Sequence, residues 1–282
     1  MNASNSPFDT ASAVTMGVPV TSAPLKIALL LLTGISAHLS LTPPNSAAPK
    51  TILVKKTLFE RGILWVTFCS KTMVWLMTLS DALATYLDAY TSYSLACPRG
   101  VAHFPASTNS LLSASPLLIV GALAVFLGCL LRKWCFRKLG TLFTFELTIH
   151  PDHRLITTGP YSVVRHPSYT GIYLTLLGST AVGLASGSYL RECWLGVGCS
   201  GQTSWAGTPG PDATDAGLLT LPSLGQVLVF SLVTFWLAKV CFALRSTNKR
   251  LAIEDAELHK IFGEVWEEYE NSVRWKLVPG VY

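Results

Sequence analysis

Apolar residues occur along this chain in five long runs that polar segments separate. The runs cover residues 25–42, 62–87, 112–131, 167–187 and 223–244. Each run is close to the roughly 20 apolar residues that a helix needs to cross a bilayer. The segments between them are polar or rich in proline, glycine and serine, which favours loops. The pattern predicts an all-α, polytopic membrane protein with about five transmembrane helices.

The remaining segments set the expected division of the chain. Residues 1–24 are rich in Ser, Thr, Ala and Asn, which predicts a flexible tail. Residues 25–131 hold the first three transmembrane helices, and residues 132–282 hold the last two together with most of the polar candidates for a site. Within this region, residues 188–222 show no hydrophobic period, which predicts an exposed loop.

A second periodic pattern follows the fifth apolar run. Apolar residues between positions 248 and 273 recur at helical spacing, and seven of the 16 acidic residues of the chain occupy positions between them. This pattern is typical of an amphipathic helix that lies on a membrane surface or on other helices. It predicts a C-terminal helix that closes one polar end of the bundle.

Composition supports the membrane prediction and excludes other classes. Hydrophobic residues make up 50% of the chain and charged residues 13%, and the mean hydropathy of +0.43 is too high for a soluble domain. The net charge is +5, but no basic-aromatic runs of the kind that stack on bases occur, so we exclude nucleic acid as a partner. The seven cysteines show no CxxC pair and no zinc-binding Cys/His spacing, so no metal site is predicted.

Lysine and arginine are distributed unevenly between the polar segments. Segments 44–61, 132–167 and 245–282 carry 4, 6 and 6 of them, whereas segments 88–111 and 188–222 carry one each. Cytoplasmic loops are enriched in basic residues. The first three segments are therefore predicted to face the cytosol.

Some individual residues need an interpretation within this topology. Lys71 and Asp81 lie inside the second apolar run, and we interpret them as snorkelling or making contacts within their own helix. Cys97, Cys193 and Cys199 fall on the side opposite the basic segments. An oxidising compartment would allow a disulfide there, for which Cys193 and Cys199 are the nearest pair, but we predict free thiols.

The segment 153–171, HRLITTGPYSVVRHPSYTG, is polar and lies between two apolar runs. Pro160 follows a glycine and predicts a turn, while Pro167 fits the first position of a helix, where its missing N–H costs nothing. The turn would deliver Arg165 and His166 to the beginning of that helix. Helix N-termini present unpaired N–H groups, so a polar ligand can be received there.

The same residues also have ordinary interpretations. Tyr161 and Tyr169 fit the aromatic belt of a membrane interface, and His166 fits a helix cap. In the C-terminal block, Arg250 and Glu254 are four residues apart. This spacing fits a surface pair worth roughly 0.2–0.5 kcal/mol. Spacing alone leaves both interpretations open.

Two sequence blocks together resemble a known family. The run LITTGPYSVVRHPSYTG, followed some eighty residues later by RLAIEDAELHKIFGEVWEEY, resembles the isoprenylcysteine carboxyl methyltransferase family over residues 146–282. The second block of that family reads Arg, three residues, two acids, two residues and Leu. Arg250, Glu254, Asp255 and Leu258 fit this order, with Asp255 standing where the family commonly has Glu.

The resemblance implies that the chain binds S-adenosylmethionine. The residues that would line its site are Glu146, His153, Arg154, Leu155, Ile156, Tyr161, His166, Pro167, Ser168, Tyr169 and Glu254. Arg250 would face the carboxylate of the substrate, and Arg250 and Glu254 would be the catalytic residues.

The resemblance also implies an activity, which is methyl esterification of the C-terminal prenylcysteine carboxylate of CaaX proteins after prenylation and proteolysis. The enzyme would be an integral protein of the endoplasmic reticulum, surrounded by membrane lipid, with its site facing the cytosol. Because the acceptor oxygen is already ionised, this reaction needs no general base and depends on positioning. An arginine can hold such a carboxylate through two parallel hydrogen bonds.

Two other functions remain open at the level of sequence. One is methylation of another membrane-borne acceptor, such as a phospholipid amine, which would need deprotonation and would gain nothing from Arg250. The other is a non-catalytic membrane scaffold that retains the fold.

Overall fold

A computed structural model of the chain describes residues 22–45, 58–91, 111–140, 143, 154–195 and 224–281. All regular elements in these ranges are helical. The helices are α1 (Ser22–Ser40), α2 (Leu58–Tyr90), α3 (Pro116–Leu139), α4 (Pro167–Gly183), α5 (Leu224–Phe262) and α6 (Glu264–Ser272). A 3₁₀ turn at Gly159–Ser162 precedes α4, and a π-helical turn at Leu190–Leu195 follows it. The predicted all-α class is confirmed.

Four of the described helices, α1, α2, α3 and α5, are long and apolar enough to cross a membrane. Helix α4 has 17 residues, at the short end of the range that can span a bilayer. Helices therefore occupy all five predicted positions, and four of them have the full length of a span. The polytopic membrane architecture predicted from hydropathy is confirmed.

Helices α3 and α4 pack antiparallel through glycines. A Cβ on Gly121 would lie 2.8 Å from the carbonyl oxygen of Gly178, and one on Gly128 would lie 2.8 Å from that of Gly171. In lipid, such small residues let two backbones approach closely and gain van der Waals contact. This contact fixes α4, which carries part of the candidate site, against α3.

Helix α5 is longer than the apolar pattern predicts. We expected the span to end near residue 244 and a separate amphipathic helix to cover residues 248–273, but α5 runs unbroken for 39 residues to Phe262. No glycine or proline interrupts residues 245–262, so nothing breaks the helical hydrogen-bond ladder. At about 1.5 Å per residue the helix is far longer than the roughly 30 Å hydrocarbon core. Its second half therefore extends beyond the membrane.

Helix α6 is a separate element that begins after Gly263. The backbone of Gly263 has φ 51°, in the left-handed region that favours glycine. This residue ends α5 and redirects the chain. The predicted amphipathic helix is thus divided into the end of α5 and the whole of α6.

Asp81, a charged residue inside α2, contacts a residue of another helix, contrary to our prediction of a contact within its own helix. Lys26 Nζ of α1 lies 2.8 Å from Asp81 Oδ1, and the Lys26 side chain is fully buried. Lys26 Nζ also donates to the carbonyl oxygens of Leu111 (2.8 Å) and Gly187 (2.7 Å). A buried charge needs such partners in a low-dielectric interior. Lys71 is half-buried and lies 3.5 Å from Thr42 Oγ1, in the segment just after α1.

Residues 188–195, the first part of the predicted loop 188–222, pack against the helices. Tyr189 and Cys193 pack against Ala84 of α2, while residues 196–223 lie outside the described part of the chain. Cys193 is disulfide-bonded, so our prediction of a free thiol is wrong for this residue. The four other cysteines in the described ranges, Cys69, Cys129, Cys135 and Cys241, are free.

Candidate active site

The segment before α4 makes the two turns that its prolines predict. Gly159 has φ 70°, and a Cβ at this position would lie 2.9 Å from Lys138 Cε, so both the backbone and the available space favour glycine. Pro167 is the first residue of α4, as expected. His166 occupies the N-cap position without donating or accepting a side-chain cap hydrogen bond. Its imidazole is therefore available to another partner.

Two hydrogen bonds join this segment to the extension of α5. His166 Nε2 lies 2.7 Å from Asp255 Oδ1, and the Tyr169 hydroxyl donates to Glu254 Oε2 at 2.8 Å. The two sequence blocks that carry the family resemblance thus meet in space. Asp255, the residue at which the chain departs from the common family pattern, still binds the first block.

Tyr161, Tyr169, Arg250 and Glu254 converge in the same region. The side chains of Tyr161 and Tyr169 both interact electrostatically with Glu254, and Tyr169 also interacts with Arg250. Burial raises the pKa of Tyr161 well above its usual range, with further contributions from Cys135 and Glu254. Tyr161 is therefore a neutral hydroxyl at physiological pH, able to donate a hydrogen bond.

Basic residues surround the Asp255 carboxylate. Arg165 Nη2 and Lys276 Nζ lie 3.9 and 3.7 Å from Asp255 Oδ2. Burial alone would raise the pKa of Asp255, but the hydrogen bond with His166 and the charges of His166, Arg165 and Lys276 bring it below its ordinary value. Asp255 is therefore an ionised carboxylate that attaches α5 to the first block. Arg165 also forms an ion pair with Glu270 of α6.

The chain after α6 runs alongside the beginning of α4. The backbone N–H groups of Arg165 and His166 donate to the carbonyl oxygens of Trp275 and Lys276, each at 2.9 Å. One turn later, Thr170 Oγ1 donates to the carbonyl oxygen of Leu277 at 2.7 Å. The C-terminal segment therefore supports the site directly, in agreement with a C-terminal element that closes it.

A small apolar cluster completes this support. Trp266 and Tyr269 of α6 are buried together with Val273, and Leu155 packs against them. The Tyr269 hydroxyl donates to the carbonyl oxygen of Tyr161 at 2.7 Å. The cluster thus connects α6 to the 3₁₀ turn and to the segment that precedes it.

The structure brings together some of the expected site residues and separates others. Arg154 is exposed, and Leu155 packs against the apolar cluster of α6. Ser168 contacts Arg132 of α3. Glu146 and His153 lie outside the described residues.

Sequence reasoning missed several residues that hold the site. Asp255 matched the second block but was not counted among the site residues, and Lys276, Trp275 and Leu277 were not singled out. The family pattern pointed to Asp255 through its position beside Glu254. The contacts of residues 275–277 are made mostly by backbone atoms, which leave no pattern in side-chain identity.

The part of the chain that is similar to known proteins includes the candidate site. Residues 119–186 match the model of the isoprenylcysteine carboxyl methyltransferase (ICMT) family. A "probable protein-S-isoprenylcysteine O-methyltransferase" of Oryza sativa subsp. indica is 37% identical over 62 residues, 21% of this chain and 32% of the relative. "Protein-S-isoprenylcysteine O-methyltransferase B" of Arabidopsis thaliana is 36% identical over 61 residues, 21% of this chain and 31% of the relative.

A second kind of relative matches a longer part of the chain. A "Delta(14)-sterol reductase" of Neurospora crassa is 27% identical over 133 residues, 46% of this chain and 24% of the relative. The chain thus spans about a quarter to a third of the length of these curated relatives. No solved structure matches it significantly. The family match covers most of α3, the turn with Tyr161, and α4 with His166 and Tyr169, so the similarity to the isoprenylcysteine carboxyl methyltransferase family extends over this part of the chain.

Proposed function

We propose that this protein is a membrane-embedded protein-S-isoprenylcysteine O-methyltransferase. It would use S-adenosylmethionine to esterify the C-terminal prenylcysteine carboxylate of prenylated proteins after CaaX proteolysis. The observation that carries the proposal is the pair of contacts His166–Asp255 and Tyr169–Glu254, since they join the two blocks that resemble the family. The family match and the plant relatives support the same activity.

The residues at the site have the chemistry that S-adenosylmethionine requires. This cofactor supplies an electrophilic methyl group on a sulfonium and carries an ammonium and a carboxylate. Glu254 can accept hydrogen bonds from the ammonium, and the rings of Tyr161 and Tyr169 can attract a sulfonium through their faces. Arg165 Nε and Asp255 Oδ2 are buried without a hydrogen-bond partner among the described residues, so the site has polar capacity left for a ligand.

The cofactor site would include the whole set implied by the family. Its proposed residues are Glu146, His153, Arg154, Leu155, Ile156, Tyr161, His166, Pro167, Ser168, Tyr169 and Glu254. Of these, Tyr161, His166 and Pro167 are buried in the described structure.

Arg250 is the proposed partner of the substrate carboxylate. It lies on the same helix as Glu254, one turn earlier, and interacts electrostatically with Tyr169. A guanidinium there would orient the carboxylate and keep it ionised where water is excluded. Because an ionised oxygen attacks without losing a proton, the chain needs to supply orientation rather than a general base.

The sterol reductase relatives favour a second candidate. Their similarity covers more of this chain than that of the methyltransferases, so reduction of a sterol double bond is the alternative to test. Hydride transfer would require a nicotinamide or flavin cofactor in place of S-adenosylmethionine. A sterol has no carboxylate for an arginine to orient.

A direct assay separates these functions. Membranes containing the full chain are incubated with methyl-labelled S-adenosylmethionine and N-acetyl-S-farnesylcysteine, and base-labile methyl ester is counted. Phospholipid without the peptide analogue tests the amine acceptor, and a Δ14 sterol with reduced nicotinamide tests the reductase. We expect the parent to transfer methyl to the farnesylcysteine, and we expect Glu254→Gln to reduce this transfer strongly. Labelled lipid or reduced sterol as the product would contradict the proposal. So would a parent protein that transfers no methyl group to the farnesylcysteine although S-adenosylmethionine is present.

A further inference from the structure

Arg132 is the largest of the fully buried side chains in the described part of the chain, with 1% of its surface exposed. From the sequence it belonged to a basic segment after the third span. Helix α3 instead continues to Leu139, and the helical turn directs Arg132 into the bundle while Arg137 and Lys138 remain exposed. A buried guanidinium at this depth needs several hydrogen-bond partners.

The guanidinium contacts two other helices. Arg132 Nε donates to the carbonyl oxygen of Ser40 at 2.6 Å, and Nη1 donates to both the carbonyl and hydroxyl oxygens of Ser168 at 3.1 Å. Ser40 is the last residue of α1, where carbonyl groups lack partners within the helix. Ser168 is in the first turn of α4. One side chain thus connects α1, α3 and α4.

The backbone of α4 is shaped to admit this arginine. A Cβ on Gly171 would lie 2.5 Å from Arg132 Cγ, so any larger residue would displace the arginine stem. The guanidinium carbon also lies 5.0 Å from the centre of the Phe136 ring, within cation–π range. The position of Arg132 is therefore set by α3 and α4 together.

The arginine is also adjacent to the site. Ser168 immediately precedes Tyr169, and the Arg132 charge interacts with the hydroxyls of both Tyr161 and Tyr169. The Tyr169 hydroxyl in turn donates to Glu254. We propose that Arg132 is a positioning residue that holds the first turn of α4 in place and thereby sets the Tyr169 hydroxyl against Glu254. The kinetic consequence of this inference rests on the proposed methyltransferase function, whereas its structural consequence does not.

An arginine is suited to this place in a way that a lysine is not. Nε and Nη1 of one rigid plane reach acceptors on two different helices, whereas an ammonium is a single point on a flexible stem. Arg132→Lys should therefore keep the positive charge and lose the connection between α1 and α4. Arg132→Gln removes both.

The first experiment measures backbone hydrogen exchange in the purified full chain without any ligand. Arg132→Gln and Arg132→Lys are expected to exchange faster than the parent at amides 168–172, while amides 253–260 of α5 keep their rates. Arg137→Gln, an exposed arginine on the same helix, is the control and should match the parent. Unchanged exchange at 168–172 in both Arg132 variants would overturn the inference.

The second experiment measures methyl transfer to N-acetyl-S-farnesylcysteine. Misplacement of a site by about 1 Å can cost roughly a hundredfold, so we expect kcat to fall by about that factor in Arg132→Gln. The KM for the farnesyl substrate should change by at most about twofold, because Arg132 is buried and touches no substrate. Arg132→Lys should recover little activity.

A double-mutant comparison shows whether Arg132 acts through Tyr169. If it does, Arg132→Gln should cost at most about threefold in kcat when Tyr169→Phe is already present. Full multiplication of the two losses would contradict the inference and favour a general structural role. If the Arg132 variants do not accumulate, Ser168→Ala removes one acceptor only, and unchanged exchange at 168–172 in that variant would overturn the inference as well.

The two proposals fail in different ways. A parent that transfers no methyl group contradicts the proposed function, and the exchange experiment still tests Arg132. A parent that is active, beside an Arg132→Gln variant with normal kcat and normal exchange, contradicts only the role of Arg132.

Discussion

Glu254 and Asp255 are neighbours in the chain, and each binds a different residue of the first block. Adjacent residues on a helix point about 100° apart, while His166 and Tyr169 lie at the beginning of α4, three residues apart and close to one face. The pairs His166–Asp255 and Tyr169–Glu254 therefore cross-connect two helices at two points. Such a double attachment restricts rotation of either helix about its axis, which is the precision that the proposed methyl transfer requires.

Substitution of Arg250 tests the substrate contact. We expect Arg250→Ala to lose most turnover, by about a hundredfold or more, while still binding S-adenosylmethionine, because its proposed partner is the acceptor. Arg250→Lys should recover little, since an ammonium cannot form two parallel hydrogen bonds with a carboxylate. Steady-state methylation of N-acetyl-S-farnesylcysteine and separate cofactor-binding measurements check both effects.

The control for Arg250 is Arg245→Ala, an exposed arginine on the same helix that should leave turnover unchanged. Near-parental turnover of Arg250→Ala would show that this residue is only a surface charge.

Asp255 makes stability dependent on pH. Burial opposes its charge, but His166, Arg165 and Lys276 keep its pKa below the ordinary value. A carboxylate with a lowered folded-state pKa stabilises the protein above its unfolded pKa of about 3.9, and this contribution is lost as pH falls through the folded-state value. We expect Asp255→Asn to melt below the parent at pH 7, with a difference that shrinks as the pH falls below the unfolded-state pKa of about 3.9.

Thermal unfolding in detergent across this pH range checks the Asp255 prediction. Glu268→Gln, an exposed acid on α6, is the control and should track the parent at every pH. A melting difference for Asp255→Asn that stays constant down to the acid end would contradict the assigned role of its charge.

At the scale of elements, the glycine contacts between α3 and α4 determine how closely the two helices approach. Every Cβ added to this contact meets a backbone carbonyl, which cannot rotate away as a side chain can. The helices must then separate, and the beginning of α4, which holds Ser168 and Gly171, moves with them. The same packing therefore influences both stability and the site.

Gly128→Ala tests this contact. The added methyl would lie 2.8 Å from the Gly171 carbonyl oxygen, so we expect the free energy of unfolding to fall by about 1–3 kcal/mol. Gly62→Ala on α2 is a matched control because a Cβ there meets nothing within 4 Å. Thermal midpoints in detergent give the comparison, and equal midpoints for the two variants would show that α3 and α4 separate without cost.

At the scale of the whole molecule, polar contacts concentrate at two places in the bundle. One is the candidate site with Arg132, where the beginning of α4 meets α5 and the end of α1. The other is the Lys26–Asp81 pair, which joins α1 and α2 and reaches the carbonyl oxygen of Gly187 beyond α4. Between them the helices pack mainly through apolar residues and glycines, as expected for a protein within lipid, and Lys239 Nζ of α5 donates to Ser70 Oγ of α2 at 2.7 Å.

The orientation of the molecule in the membrane is a separate prediction. The bias of 16 basic residues against two in the connecting segments predicts that the site faces the cytosol. A glycosylation acceptor inserted within residues 200–215 should be modified in endoplasmic reticulum membranes, and one within residues 140–155 should not. Gel mobility before and after deglycosylation checks this, and the reverse pattern would place the site in the lumen.

The sequence by itself determined the helical membrane class and the approximate places of the five helices along the chain. Hydropathy and proline positions suffice for these features because they depend on local composition. Only the tertiary structure decided that Asp255 binds His166, that Asp81 binds Lys26 and that Arg132 is buried. Each of these depends on which residues of distant segments face one another, and on backbone carbonyls of Ser40, Trp275 and Lys276 that any residue type would supply. Side-chain identity carries no information about such acceptors.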